Sequence, residues 1–92
     1  MANFIVATKL TDSSPSAEQM GNHLAMVTKK RGEVLPNVWW VDYHGSVSGL
    51  RDWVQVILRP TDMLIVIEAK NAAWTDILLD GDILAHSWGK AA

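Results

Sequence analysis

Two adjacent tryptophans in the stretch Val38-Trp39-Trp40-Val41-Asp42-Tyr43-His44-Gly45 constrain this chain more than any other feature. Successive side chains of a β-strand point to opposite faces of the sheet. Trp39 and Trp40 therefore cannot enter one core, and the fold must cover both faces of this strand. The run Met63-Leu64-Ile65-Val66-Ile67 poses the same demand. It is apolar without interruption, the pattern of a strand covered on both sides.

The neighbouring segments supply candidate partners. Asn3–Leu10 predicts a first strand, with Phe4, Val6 and Thr8 on one side and Ile5, Ala7 and Lys9 on the other. Ser14 as N-cap and Pro15 at the first helical position predict a helix start. Ala17, Met20, Leu24 and Val27 form its apolar stripe, Lys29-Lys30-Arg31 its basic end and Gly32 its stop. Glu33–Leu35 reads as a short edge strand, with Pro36-Asn37 turning the chain into the tryptophan strand. Gly45-Ser46 opens a second helix along Val47, Leu50, Val54 and Ile57, and Arg59-Pro60 ends it. Beyond Glu68, Asn71 is expected to cap a short helical turn reaching Leu79. A turn at Asp80-Gly81-Asp82 and a last strand at Ile83–Trp88 follow.

This order predicts an α+β fold, with residues 1–92 forming a single ferredoxin-like domain. Its βαββαβ sandwich has an antiparallel sheet and two helices on one face. Without a strand at Glu33–Leu35, the same residues read as a three-stranded parallel βαβαβ unit. Ninety-two residues, 49% hydrophobic and 20% charged, support one modest core. Helices on one face leave the other bare. Val38 and Trp40 oppose Trp39, Val41 and Tyr43, and Met63, Ile65 and Ile67 oppose Leu64 and Val66. Either a second copy or the segment from Trp74 to Trp88 must cover the remainder, since soluble monomers seldom expose such patches. A homodimer is the expected solution, with Trp39, Trp40, Val41, Ile65, Val66 and Trp74 at its interface. On this reading, one of Trp39→Ala and Trp40→Ala lowers fold stability and the other weakens dimerisation.

Charge and composition narrow the chemistry. A net charge of −2 with a pI near 5.8 argues against broad nucleic-acid binding. Lys29, Lys30, Arg31 and Arg51, with Arg59, are the local candidates for phosphate contact, although basic residues at a helix end also serve its dipole. With no cysteine, disulfides, thiolate chemistry and cysteine metal knuckles are excluded. The first residues carry neither the basic start nor the long apolar run of a signal peptide, and no apolar stretch approaches a membrane span. A cytoplasmic protein is expected.

Asp42 and His44, two apart, share a strand face. Together with Asp12 they are the candidates for an oxygen–nitrogen metal cluster or an acid–base pair. The plainer reading is the frayed polar end of a strand. His23 lies off the apolar stripe and reads as solvated, and nothing near His86 has ligand spacing. Asp80-Gly81-Asp82 lacks the further ligands of a calcium loop. There is no phosphate loop, zinc-protease helix or nucleophile elbow, and no cofactor is expected.

The stretches "FIVATKL", "NVWWVDYHG" leading into "SGLRDW", and "DMLIVIEAKNAAW" resemble the CRISPR-associated small endoribonuclease family. The likeness is strongest to its solitary, toxin-like members and spans about residues 3–74. The resemblance implies a ferredoxin-like fold and a homodimer formed through sheets and C-terminal segments. It also implies a divalent metal, magnesium or manganese, held by one aspartate from each subunit at the end of the first strand. The matching place here is Lys9, and the nearest acid is Asp12. A lysine cannot ligate a hard cation and repels it. The expected function is therefore a non-catalytic homodimeric interaction module. A metal-dependent endoribonuclease using Asp12 or Asp42 and a small inhibitor or antitoxin-like binder are the alternatives.

Overall fold

The computed structural model describes residues 2–73, 75 and 77–79. In chain order they form β1 (Ala2–Lys9), α1 (Ala17–Ala25), β2 (Thr28–Leu35), β3 (Val38–Tyr43), α2 (Val47–Gln55) and β4 (Met63–Glu68). The strands build one antiparallel sheet in the order β2-β3-β1-β4. This is the expected α+β architecture with its βαββαβ order. The parallel alternative is ruled out by the register, which sets Phe4 against Val41 and Gly32 against Trp40 in antiparallel pairs.

Both helices start on a serine. Ser16 Oγ accepts from Gln19 N at 3.2 Å, while Gln19 Oε1 accepts from Ser16 N at 2.8 Å. This reciprocal capping box satisfies two donors that the first turn leaves open. The cap thus lies at Ser16, not Ser14, and Pro15 is buried just outside the helix. Ser46 caps α2 by accepting from Gly49 N at 3.0 Å.

The end of α1 differs from the sequence-based expectation. The helix stops at Ala25, and Thr28 Oγ1 donates to the Leu24 carbonyl at 2.7 Å, occupying one of its last acceptors. Lys29, Lys30 and Arg31 therefore lie on β2, and Gly32 is buried inside that strand. The cause is tertiary. Gly32 and Val34 alternate onto the sheet face that carries Trp40, and that period-two burial prevails over the helical period that Val27 would continue.

Each tryptophan of β3 has its own cover. On the front face Trp39 joins Phe4, Val6 and Val41 beneath Met20 and Leu24 of α1 and Leu50 and Val54 of α2. Tyr43 stands edge-on to Phe4, ring centroids 5.6 Å apart. On the back face Trp40 and Val34, with Ile5 and Val38, are covered by Ala69, Ala72, Ile77 and Leu79. The segment after β4 crosses behind the sheet to β2, where Leu78 N donates to the Val34 carbonyl at 2.9 Å. Its described residues form no helix, contrary to the turn expected at Asn71. Their hydrophobic spacing follows the surface they cross, not a helical stripe. Trp40 is fully buried, and its indole Nε1 donates to Asn3 Oδ1 at 2.9 Å.

A second difference concerns β4. Leu64 and Val66 pack on the core, but Met63, Ile65 and Ile67 are 64%, 56% and 47% exposed. The apolar run belongs to an edge strand covered on one face among the described residues, not to a strand covered on both. The expected turn at Asp80–Asp82, the strand at Ile83–Trp88, His86, and the side chains of Trp74 and Trp88 lie outside the described residues.

Candidate interaction edge

The two edges of the sheet are built differently. Edge β2 exposes Lys29, Lys30 and Arg31, and its register against β3 shifts at Thr28/Lys30 and again at Glu33/Leu35. Charges and bulges are the devices by which proteins keep a sheet edge from accepting another strand. The Leu78 amide also occupies the Val34 carbonyl. Edge β4, Met63-Leu-Ile-Val-Ile-Glu68, carries no lysine, no proline and no shift in register. It is regular and, as far as Ile67, apolar.

Backbone parity tells which groups β4 presents outward. In an antiparallel pair, bonded and non-bonded residue pairs alternate. Ala69 N donates to the Asn3 carbonyl at 2.9 Å, extending the same register by one pair. Met63, Ile65 and Ile67 therefore aim their backbone groups at β1, and Leu64, Val66 and Glu68 aim theirs away. The bond from Thr8 N to the Asn37 carbonyl, 3.0 Å, agrees, because it turns the even-numbered residues of β1 toward β3 and leaves the odd ones for β4. No strand pairs with the outer side of β4 among the described residues. On the helix side, Leu64 and Val66 floor a shallow groove of about 500 Å³ walled by Ser46, Ser48 and Arg51.

Against this edge the expected interface residues sort cleanly. Trp39, Trp40 and Val41 are buried within the chain itself, and Val66 is half-buried. Ile65 is on the surface. The expected chemical residues do not converge. Asp12 follows the C-terminal end of β1, where its carboxylate meets Arg59 Nη1 at 3.0 Å and Ser13 N at 2.8 Å. Asp42 pairs with Asn3 at the opposite end of that strand, six residues or about 20 Å away, and His44 is exposed beyond it. No cluster of three or more metal-ligating side chains occurs among the described residues. The basic candidates are also divided. Lys29–Arg31 line edge β2, whereas Arg51 lies on α2 near β4, 2.9 Å from Asp52.

Two features escape a reading of the sequence. Asp62, just before β4, accepts from Thr11 N, Thr11 Oγ1 and Arg59 N, each at 2.8 Å. It ties the loop entering β4 to the loop leaving β1. The Thr11 and Arg59 amides hold its carboxyl below the ordinary 3.8, and the Ser13 amide, then Arg59, do the same for Asp12. Because folding lowers both values, their contribution to stability is present above pH 3.8 and fades as pH falls through the folded-state values. Asp62→Asn should therefore flatten the acid limb of a melting-temperature profile below that pH, with the Asp12 contribution left in place. An unchanged acid limb would mean that the Asp62 bonds do not form in solution.

The second is His23, which is half-buried, not solvated. Its ring stacks on Trp53 with centroids 4.2 Å apart and planes at 2°. Its Nε2 faces the Trp53 carbonyl at 2.6 Å and so carries a proton, while Trp53 Nε1 donates to the His23 carbonyl at 2.9 Å. This reciprocal clasp joins α1 to α2. Trp53→Phe, which keeps a stacking ring but loses the indole donor, should cost about 1 kcal/mol in urea denaturation. The signal in sequence was the pair of polar-handled rings at the flanks of both apolar stripes.

Compared with known proteins, the chain matches no family model, no curated protein and no solved structure. Fold and site together define a small α+β sandwich with one guarded sheet edge and, among the described residues, one open edge.

Proposed function

We propose that this chain is a homodimeric interaction module that self-associates through β4, acting by binding and not by catalysis. The contrast between the edges carries the reading. A domain whose edges are both meant to stay bare guards both; this one guards β2 with charge and irregular pairing and leaves β4 smooth and apolar. The resemblance to CRISPR-associated small endoribonucleases implies a homodimer as well, and Lys9 at the place of the family's metal-binding aspartate supports the non-catalytic side of that likeness. Asp12 and Asp42, the acids of the nuclease alternative, stand at opposite ends of the sheet.

Met63, Ile65 and Ile67 expose on the order of 300 Å² of side-chain surface per copy, near the size of patch that marks interaction sites. Burying all of it on two copies would gain about 15 kcal/mol at 25 cal/mol per Å², an upper bound set against about 4–15 kcal/mol of lost freedom on association. Sedimentation should give twice the 10.2 kDa of one chain at high concentration. Ile65→Lys should return it to a single chain and, compared at a dilution where the wild type is also monomeric, should leave the melting temperature unchanged, since Ile65 is exposed in the protomer. A wild-type protein that stays monomeric at concentrations on the order of several hundred micromolar overturns the proposal.

A further inference from the structure

We infer that two copies pair β4 with β4 in one register, Ile65 facing Ile65 of the second copy, to make a continuous eight-stranded sheet. The inference rests on the proposed self-association and specifies its geometry. Only residues with outward backbone groups can exchange hydrogen bonds across the new seam, and these are Leu64, Val66 and Glu68. Antiparallel registers that oppose an even-numbered residue to an odd-numbered one are therefore excluded. Among the two-fold registers that remain, those centred on residues 65 and 66 overlap the two strands most fully, and those centred on 64 or 67 overlap them less.

Side chains choose among them. Centred on Ile65, the back face pairs Ile65 with its copy and Met63 with Ile67 of the second copy. The helix face pairs Leu64 with Val66 of the second copy, so every facing pair along residues 63–67 is apolar. Centred on Val66, Leu64 meets Glu68 and Met63 meets Ala69. Centred on Leu64, Val66 meets Asp62 and Ile67 meets Thr61. The middle register wastes no apolar side chain. Its cost is at the ends, where Glu68 lies opposite Asp62, whose carboxylate is already engaged by Thr11 and Arg59. The two-fold axis stands perpendicular to the sheet, so the helices of both copies share one side and the crossing segments share the other. Edge pairing of two six-residue strands buries on the order of 1,000 Å², the lower bound for a specific interface.

The chain has no native cysteine, so single cysteines report the register directly. Residues facing each other at a non-bonded antiparallel site bring their Cα atoms within disulfide reach. Under mild oxidation Ile65→Cys should cross-link at least about tenfold faster than Leu64→Cys or Val66→Cys, whose own copies stand two positions off. A mixture of Met63→Cys and Ile67→Cys should form the mixed dimer, reporting the same register with Ile65 intact. Fastest linkage through Val66→Cys or Leu64→Cys overturns the register. Linkage through Lys30→Cys on edge β2, or a dimer that none of the β4 cysteines captures, overturns the pairing of β4 edges while leaving self-association standing. A wild-type chain that sediments as a monomer overturns the association itself and points to another occupant of the edge, such as the chain's own residues 80–92 or an extended peptide.

Discussion

Trp40→Ala is expected to cost about 3–5 kcal/mol, a large share of the 5–15 kcal/mol that holds a domain of this kind folded. Among the described residues, Trp40 is the largest fully buried side chain, sealed between β3 and the segment that crosses behind it. Truncation opens a void beneath Ala72 and Leu79 and removes the indole bond to Asn3 Oδ1. The described residues of the crossing segment rest on this ring and are tied to β2 by the Leu78 bond to Val34, so the segment should loosen and not refill the space. Trp40→Phe keeps much of the ring volume and loses the donor, and should cost roughly 1–2 kcal/mol. Trp39→Ala should also destabilise strongly, because Trp39 is buried under the helices of the same chain. The expectation that one indole serves the fold and the other the dimer thus gives way to both serving the fold. Urea denaturation of the three variants checks this. A Trp40→Ala protein within about 1 kcal/mol of wild type, but with its dimer lost, would restore the indole to the interface.

The demand for two covered faces was legible from Trp39-Trp40 alone, and so was the strand and helix order that meets it on the helix side. What covers the back was not, because Ala69, Ala72, Ile77 and Leu79 follow no regular period; their spacing is set by the sheet they lie on. The end of α1 was hidden by mimicry. Val27 extends the helical stripe, and Lys29-Lys30-Arg31-Gly32 looks like a helix end until Trp40 is placed opposite Gly32. An uninterrupted apolar run such as Met63–Ile67 cannot by itself tell a central strand from an edge, since that depends on sheet order. Its lack of lysine and proline was visible; its meaning needed the topology. Strand parity set Asp42 and His44 on one face, but β3 ends at Tyr43 and leaves His44 beyond it, and antiparallel register sent Asp12 to the far end. Asp62 belongs to no motif. Its role comes from a loop juxtaposition spanning fifty-one residues between partners.

Gly32→Val sets two effects of opposite sign against each other, and packing should win. Valine is a far better strand former than glycine, worth up to about 1 kcal/mol in a host sheet. At this position, however, a Cβ would lie 2.6 Å from Leu79 Cδ1 and 3.1 Å from Leu79 Cγ. The Leu79 side chain must shift, and its new position gives up part of the cover over Trp40 and Val34. Overpacking of this kind costs about 1–3 kcal/mol, so the net result is a loss of about 1–2 kcal/mol. Gly32→Ala meets the same side chain with fewer atoms and should lose less. The distinguishing readout is local: acrylamide should quench tryptophan fluorescence more strongly in Gly32→Val, and proteolysis should cut sooner between Ala69 and Leu79, while the front core of Phe4, Leu24 and Leu50 stays protected from hydrogen exchange. A Gly32→Val protein as stable as wild type, with no gain in quenching, would mean that Leu79 does not rest on β2. The back face would then need another cover, and the apolar row of β4 would be part of a larger open surface instead of a single edge.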